Sequence, residues 1–153
     1  MAERTIFDEI VDGNIPSYKV FEDDNYLAFL TPFGNTLGAT VVIPKQNPGA
    51  YVFQIDPEIV AGLMATAKKV ANLLEEALDV SRVAAVFEGE GVQHLHVKLF
   101  PMHEFEADRS KFPKQSAFFP VYPGYISTAE GAHMGEEKLK EIHEKIQKVT
   151  HEG

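Results

Sequence analysis

The run Val92-Gln93-His94-Leu95-His96-Val97-Lys98-Leu99-Phe100-Pro101 alternates polar and apolar side chains. On an extended strand alternate residues share a face, so His94, His96 and Lys98 project together while Leu95, Val97 and Leu99 turn toward a core. The alternation predicts a strand from Val92 to Phe100, stopped by Pro101. Just upstream, Arg82 to Phe87 is a second β-like run, and Glu88-Gly89-Glu90-Gly91 supplies the turn between the two. In an arbitrary chain, two histidines and a lysine on one strand face are most often simply solvated. A metal reading of the His94/His96 pair lacks a third ligand in the local sequence.

Outward from this pair, Thr40-Val41-Val42-Ile43 is a β-branched run closed by Pro44. Lys19-Val20-Phe21-Glu22 and Tyr26-Leu27-Ala28-Phe29-Leu30 flank a polar turn and predict a hairpin. Ile6, Phe7, Ile10 and Val11 have helical spacing, and Gly13 and Pro16 stop that short helix. Asp56-Pro57-Glu58 carries the N-cap, first-turn proline and acid of a helix start. Ile59, Leu63, Ala67, Val70, Leu74 and Ala77 then recur on one face of the longest helix. Beyond Pro101 comes an aromatic and proline-rich arm that includes Phe105, Phe112, Pro113, Phe118, Phe119, Tyr122 and Tyr125. Glu136 to Val149 predicts an amphipathic terminal helix through Leu139, Ile142, Ile146 and Val149. The expected organisation is a domain over residues 1–104, with the arm and terminal helix of residues 105–153 packed on it.

The chain has 153 residues, of which 44% are hydrophobic and 24% charged, a balance typical of a globular domain. Its formal charge of -9 argues against coating a nucleic-acid polymer, which requires many Lys and Arg on phosphates. A small phosphorylated ligand is still compatible, held by a local cluster of donors. There is no cysteine, hence no disulfide framework and no thiolate nucleophile. Met1 to Phe7 has no apolar h-region, and no window approaches a membrane span. These features predict a soluble, cytoplasmic protein that binds no membrane.

Four segments in order, IFDEIVDGNIP (6–16), VFEDDNYLAFL (20–30), VVIPK (41–45) and VQHLHVKLFP (92–101), resemble the histidine-triad (HIT) family. The resemblance implies an α+β fold: an antiparallel meander sheet of about five strands with one long helix, a short N-terminal helix and a C-terminal helical extension, paired as a homodimer. It implies catalysis at the α-phosphorus of a nucleotide. His96 would be the nucleophile, forming a nucleotidyl-histidine that water or a second acceptor resolves, with His94 holding the site's geometry and proton state. Lys98 and backbone N–H groups near His96 would stabilise the phosphoryl oxygens, and Gly91 would be a further substrate-binding position. Phe7, Ile10, Phe21, Phe29 and Ile43 would line a nucleobase wall. No cofactor is implied.

The sequence departs from the family pattern at identifiable places. Lys98 replaces the third histidine, as a non-histidine residue also does in galactose-1-phosphate uridylyltransferase. Thr31 stands where the family commonly offers an acid or amide to the ribose, and Glu90 puts a carboxylate where an amide lies near the phosphate. Zinc-binding members use two N-terminal cysteines and a histidine that here is Asn47, so no structural zinc is expected. Lys98, Glu90 and Thr31 together motivate an alternative: a nucleotide-binding or partner-binding dimer without efficient chemistry. Lys45, His103, His133, His143 and His151 are read as surface residues.

Overall fold

The computed structural model describes residues 3–112 and 115–151; Pro113 of the arm and the side chain of His151 lie outside the described residues. The chain divides into two compact units, Met1–Ala107 and Asp108–Gly153.

Among the described residues the first unit is a five-stranded sheet with two α-helices and a 3-10 turn at Val52–Gln54. Helix α1, Ile6–Val11, starts at Thr5, which forms a reciprocal capping box with Asp8. Strands β1, Lys19–Glu22, and β2, Tyr26–Leu30, form the expected hairpin. Its turn is held by Asp23, whose Oδ1 accepts from the amides of Asn25 and Tyr26 at 2.9 and 2.7 Å. Strand β3, Thr40–Pro44, follows, and helix α2, Pro57–Leu78, is capped by Asp56 and closed by Asp79 at a left-handed φ of 52°. Strands β4, Val83–Val86, and β5, Val97–Pro101, complete the sheet. The order is β1-β2-β3-β5-β4 with every neighbour antiparallel. The first three strands meander; after α2 the chain enters at the edge as β4 and returns as β5 beside β3.

The sheet separates two apolar clusters. Ala28, Val42, Leu95, Val97 and Leu99 pack against Leu63, Ala67, Val70 and Leu74 of α2. On the other side Phe7 and Ile10 of α1 meet Leu27, Phe29, Val41 and Ile43. The alternation of residues 95–99 is therefore realised: their odd-numbered side chains belong to the α2 core. On α2 itself the predicted stripe holds except at its end, where Ala77 is exposed and Leu78 packs on the core instead.

The histidine strand is shorter than its sequence pattern. Its ladder to β3 pairs Thr40 with Leu99, Val41 with Lys98 and Val42 with Val97, and stops there. Continued pairing would run into Pro44, which has no N–H to donate. Residues 92–96 instead form a bent lead-in, with the His94 amide donating to the Val92 carbonyl at 2.8 Å and the Asn47 side-chain amide donating to the Gln93 carbonyl at 2.9 Å.

In the second unit Arg109–Lys111 form a single 3-10 turn, and helix α3 spans Glu136–His151, slightly beyond its predicted end. The rings of Phe119 and Tyr125 meet edge to face at 5.7 Å. Among the described residues no helix is long and apolar enough to cross a membrane.

Leu63 has no exposed surface and joins α2 to the sheet. Leu63→Ala is expected to cost about 3 kcal/mol of unfolding free energy, seen as a lower urea midpoint at unchanged slope. A loss below about 1 kcal/mol would contradict this placement of the core.

Candidate active site

The bent lead-in buries both histidines although they are polar. His94 is fully buried and His96 is 4% exposed. Such groups must find hydrogen-bond partners. The Pro44 carbonyl lies 2.7 Å from His94 Nε2, and because a carbonyl only accepts, Nε2 carries the proton. The His94 carbonyl in turn lies 2.7 Å from His96 Nδ1, so His96 is protonated at Nδ1. The neutral His96 ring therefore keeps its lone pair on Nε2, the atom not committed to the backbone. The ring of Phe7 in α1 meets both imidazoles in T-shaped geometry, with centroids 5.7 Å from His94 and 5.3 Å from His96.

Burial pushes His96 below its ordinary pKa of 6.5. The hydrogen bond to the His94 carbonyl opposes this, the Lys98 charge assists it, Glu88 opposes it and His94 assists. Burial likewise lowers His94, against its bond to Pro44 and the nearby Asp8 charge. Both rings are thus held toward the neutral form. Neutrality is the state a nitrogen nucleophile needs.

Lys98, on the same side as His96, donates to Glu88 at 2.6 Å. Both side chains are partly buried, 34% and 20% exposed. Glu88 comes within reach because Val86 pairs directly with Lys98 across β4 and β5, and Glu88 follows two residues on. Glu90 and Gly91 lie in an exposed turn, with Gly91 at φ +86° and open space where a Cβ would stand. Gly89, at φ +70°, is backed by Tyr51.

Thr31 ties down the loop after β2: its amide donates to Ala39 at 3.0 Å, and its hydroxyl accepts from the Phe33 amide at 3.2 Å. Phe7, Ile10 and Phe29 are buried at 8, 7 and 4% exposure, so each offers at most an edge to a ligand. Phe21 packs on the opposite, α2 side of the sheet and is separated from them by it. Lys45 pairs with Glu22 at 2.9 Å. His103 donates to the Leu37 carbonyl at 2.8 Å and fastens a loop. Among the described residues no group of three or more His, Cys, Asp or Glu is arranged to hold a metal. Thr5, Asp8, Asn47 and Glu88 contact the histidine segment or Lys98 and were not among the expected site residues. The capping-box spacing of Thr5 and Asp8 and the register of Glu88 are the signals that could have found three of them.

Residues 12–105 match the family described as "HIT domain". An uncharacterized HIT-like protein of Borreliella burgdorferi is 31% identical over 103 residues, covering 63% of this chain and 73% of that one. A protein of Arabidopsis thaliana named "Adenylylsulfatase HINT1" is 37% identical over 105 residues, 62% of this chain and 69% of its own. The crystal structure of SMU.412c from Streptococcus mutans UA159 superposes with a TM-score of 0.68 at 28% identity, covering 98% of this chain and 87% of that one.

The lowered histidine values give stability a defined pH dependence. Between 6.5 and the lower folded values the unfolded chain binds more protons than the native one, so stability rises with pH across that window. The contribution is full above 6.5 and is lost as the pH falls through the folded values. Urea unfolding across this window should show that loss, and His96→Asn should flatten it. An equal slope in wild type and variant would contradict the burial of a neutral His96.

Proposed function

The chain belongs to the HIT-domain family, and we propose that it is a nucleotide hydrolase or nucleotidyl transferase acting at the α-phosphate through His96. The observation that carries the reading is the hydrogen bond of His96 Nδ1 to the His94 carbonyl, which leaves Nε2 bare on a ring held neutral. The Nε2 lone pair forms a bond to the α-phosphorus as the bond to the leaving group breaks; the leaving group departs with that electron pair and takes its proton from solvent. Water, or an acceptor hydroxyl, then attacks the phosphorus and loses a proton to solvent as the bond to Nε2 breaks, and that electron pair returns to His96 as its lone pair. Nδ1 keeps its proton throughout, and the His94 carbonyl faces the positive charge that the ring carries while substituted.

The proposed ligand is a small nucleotide ester, anhydride or phosphoramidate. The name of the Arabidopsis relative, an adenylylsulfatase, supports including adenylyl substrates with anionic leaving groups. Lys98 is a cation near the nucleophile, and a phosphoryl oxygen would compete with Glu88 for its ammonium. The same ion pair motivates the second reading, a nucleotide-binding protein without efficient chemistry, because a lysine already neutralised by Glu88 offers less charge to a transition state.

Rapid-quench mass spectrometry of the intact protein mixed with adenosine and guanosine phosphoramidates, dinucleoside polyphosphates and adenylyl sulfate tests the first reading. Wild type should gain one nucleotidyl mass, and His96→Ala should gain none and lose all turnover. Turnover unchanged in His96→Ala would overturn the mechanism; binding without adduct or product would favour the second reading. Lys98→Met is expected to lower kcat/KM roughly tenfold, less than a full oxyanion donor supplies because Glu88 already shares its charge.

A further inference from the structure

The turn that precedes the histidine segment carries a carboxylate into the surroundings of His96. Glu88 Oε2 lies 2.6 Å from Lys98 Nζ, with the two side chains 20% and 34% exposed. Its backbone is held in place: the next residue, Gly89, has a φ of +70°, and a Cβ there would stand 3.4 Å from the Tyr51 ring. At the other end of the turn the Asn47 side-chain amide donates to the Gln93 carbonyl at 2.9 Å. Alongside burial and the bond to the His94 carbonyl, both charges of the pair reach the His96 ring, in opposite senses. The pair is neutral as a whole, and that balance ends when a phosphate approaches. A phosphoryl oxygen that accepts a hydrogen bond from Lys98 sits about 2.8 Å from Nζ. The Glu88 oxygen, 2.6 Å from the same nitrogen, then stands within about 5.5 Å of that phosphoryl oxygen.

We propose that Glu88 is a specificity-determining residue that reads the charge of the leaving group, favouring groups that are cationic or uncharged beside the scissile bond over groups that are anionic there. This rests on the reading of His96 as the nucleophile at a nucleotide's α-phosphate. The nucleoside half of such a substrate is uncharged and the α-phosphate contributes one negative charge in every case, so the leaving group is where substrates differ. With phosphate, Lys98 and Glu88 assembled, this cluster holds one cation and two anions. A carboxylate, phosphate or sulfate on the leaving group adds a third anion against the one lysine, and like charges a few ångströms apart in a partly buried site repel strongly. An ammonium on the leaving group pairs with Glu88 as Lys98 turns to the phosphate, and so restores neutrality. Discrimination of this kind comes from a repulsive group kept in the site rather than from added attraction. Phosphoanhydrides and adenylyl sulfate therefore stand at the slow end of the substrate range, and nucleotides joined to a cationic amine at the fast end.

Adenosine phosphoramidates that share one scissile P–N bond test this on the full chain. Their leaving amines are ethylenediamine, propylamine and β-alanine, whose far ends near neutral pH are cationic, uncharged and anionic. In wild type kcat/KM should fall in that order, by about tenfold from first to last. Glu88→Gln keeps the shape of the side chain and removes its charge, and the span should shrink to within about twofold as the anionic substrate is turned over faster. Comparing the span in each variant with that in wild type cancels the differing reactivity of the amines. Glu76→Gln, which removes an exposed carboxylate from α2, should leave the span as in wild type. Should Glu88→Gln fold poorly, Glu88→Ala carries the same expectation. A wild-type span in the Glu88 variant would overturn the proposal, as would an equal shrinkage in Glu76→Gln, which would assign the effect to the overall charge of the chain. Calorimetry of the same compounds with His96→Ala separates the proposal from the reading beneath it. Affinities should follow the same order and converge when Glu88→Gln is added, and affinities that do not converge would overturn the role of Glu88. If wild type turns over none of the compounds, the enzymatic reading fails while these affinities still judge Glu88.

Discussion

The hydrogen bond from His96 Nδ1 to the carbonyl of His94 is the constraint on which the rest of the site depends. It exists because the chain between Val92 and His96 does not join the ladder, so the His94 carbonyl is left for a side chain. The vacated position is used twice, since His94 Nε2 takes the Pro44 carbonyl that the strand would have faced. The Pro44 carbonyl at the end of β3 thereby fixes the ring of one buried histidine, whose own carbonyl fixes the next. Leu95, Val97 and Leu99 hold the segment from below by packing on α2, which is why the register of the histidines is not free to slip.

The electrostatics follow from burial. A chain with a formal charge of -9 does not present a generally attractive field to a nucleotide. What it presents locally is a ring with its charged form suppressed and one lysine whose charge is balanced by Glu88. Attraction to phosphate is thus confined to the few donors at the site and is in competition with an internal carboxylate. This favours discrimination by geometry over capture by charge.

Much of the fold was legible because its elements carry local signals. The Asp56-Pro57-Glu58 start of α2, the polar turn at Asp23 to Asn25 and the β-branched run of β3 are each decided within a few residues. The alternation in residues 94–98 correctly put His94, His96 and Lys98 on one side, and the family resemblance pointed to a HIT-type site. What was not legible depends on pairing across long sequence distances. The early end of the histidine strand follows from Pro44, fifty positions before His94. The pairing of Lys98 with Glu88 follows from the β4–β5 register. The contact of Thr5 and Asp8 with His94 joins residues from opposite ends of the first unit, and only their capping-box spacing was visible in sequence.

The central claim, that a nitrogen of this chain becomes covalently bonded to phosphorus, is tested most directly by the stereochemical course at that atom. Hydrolysis of a nucleotide substrate made chiral at the α-phosphorus with sulfur and heavy oxygen yields a product whose configuration can be assigned. Two in-line displacements, one by His96 and one by water, predict net retention. Net inversion would mean a single direct attack by water and would contradict the account.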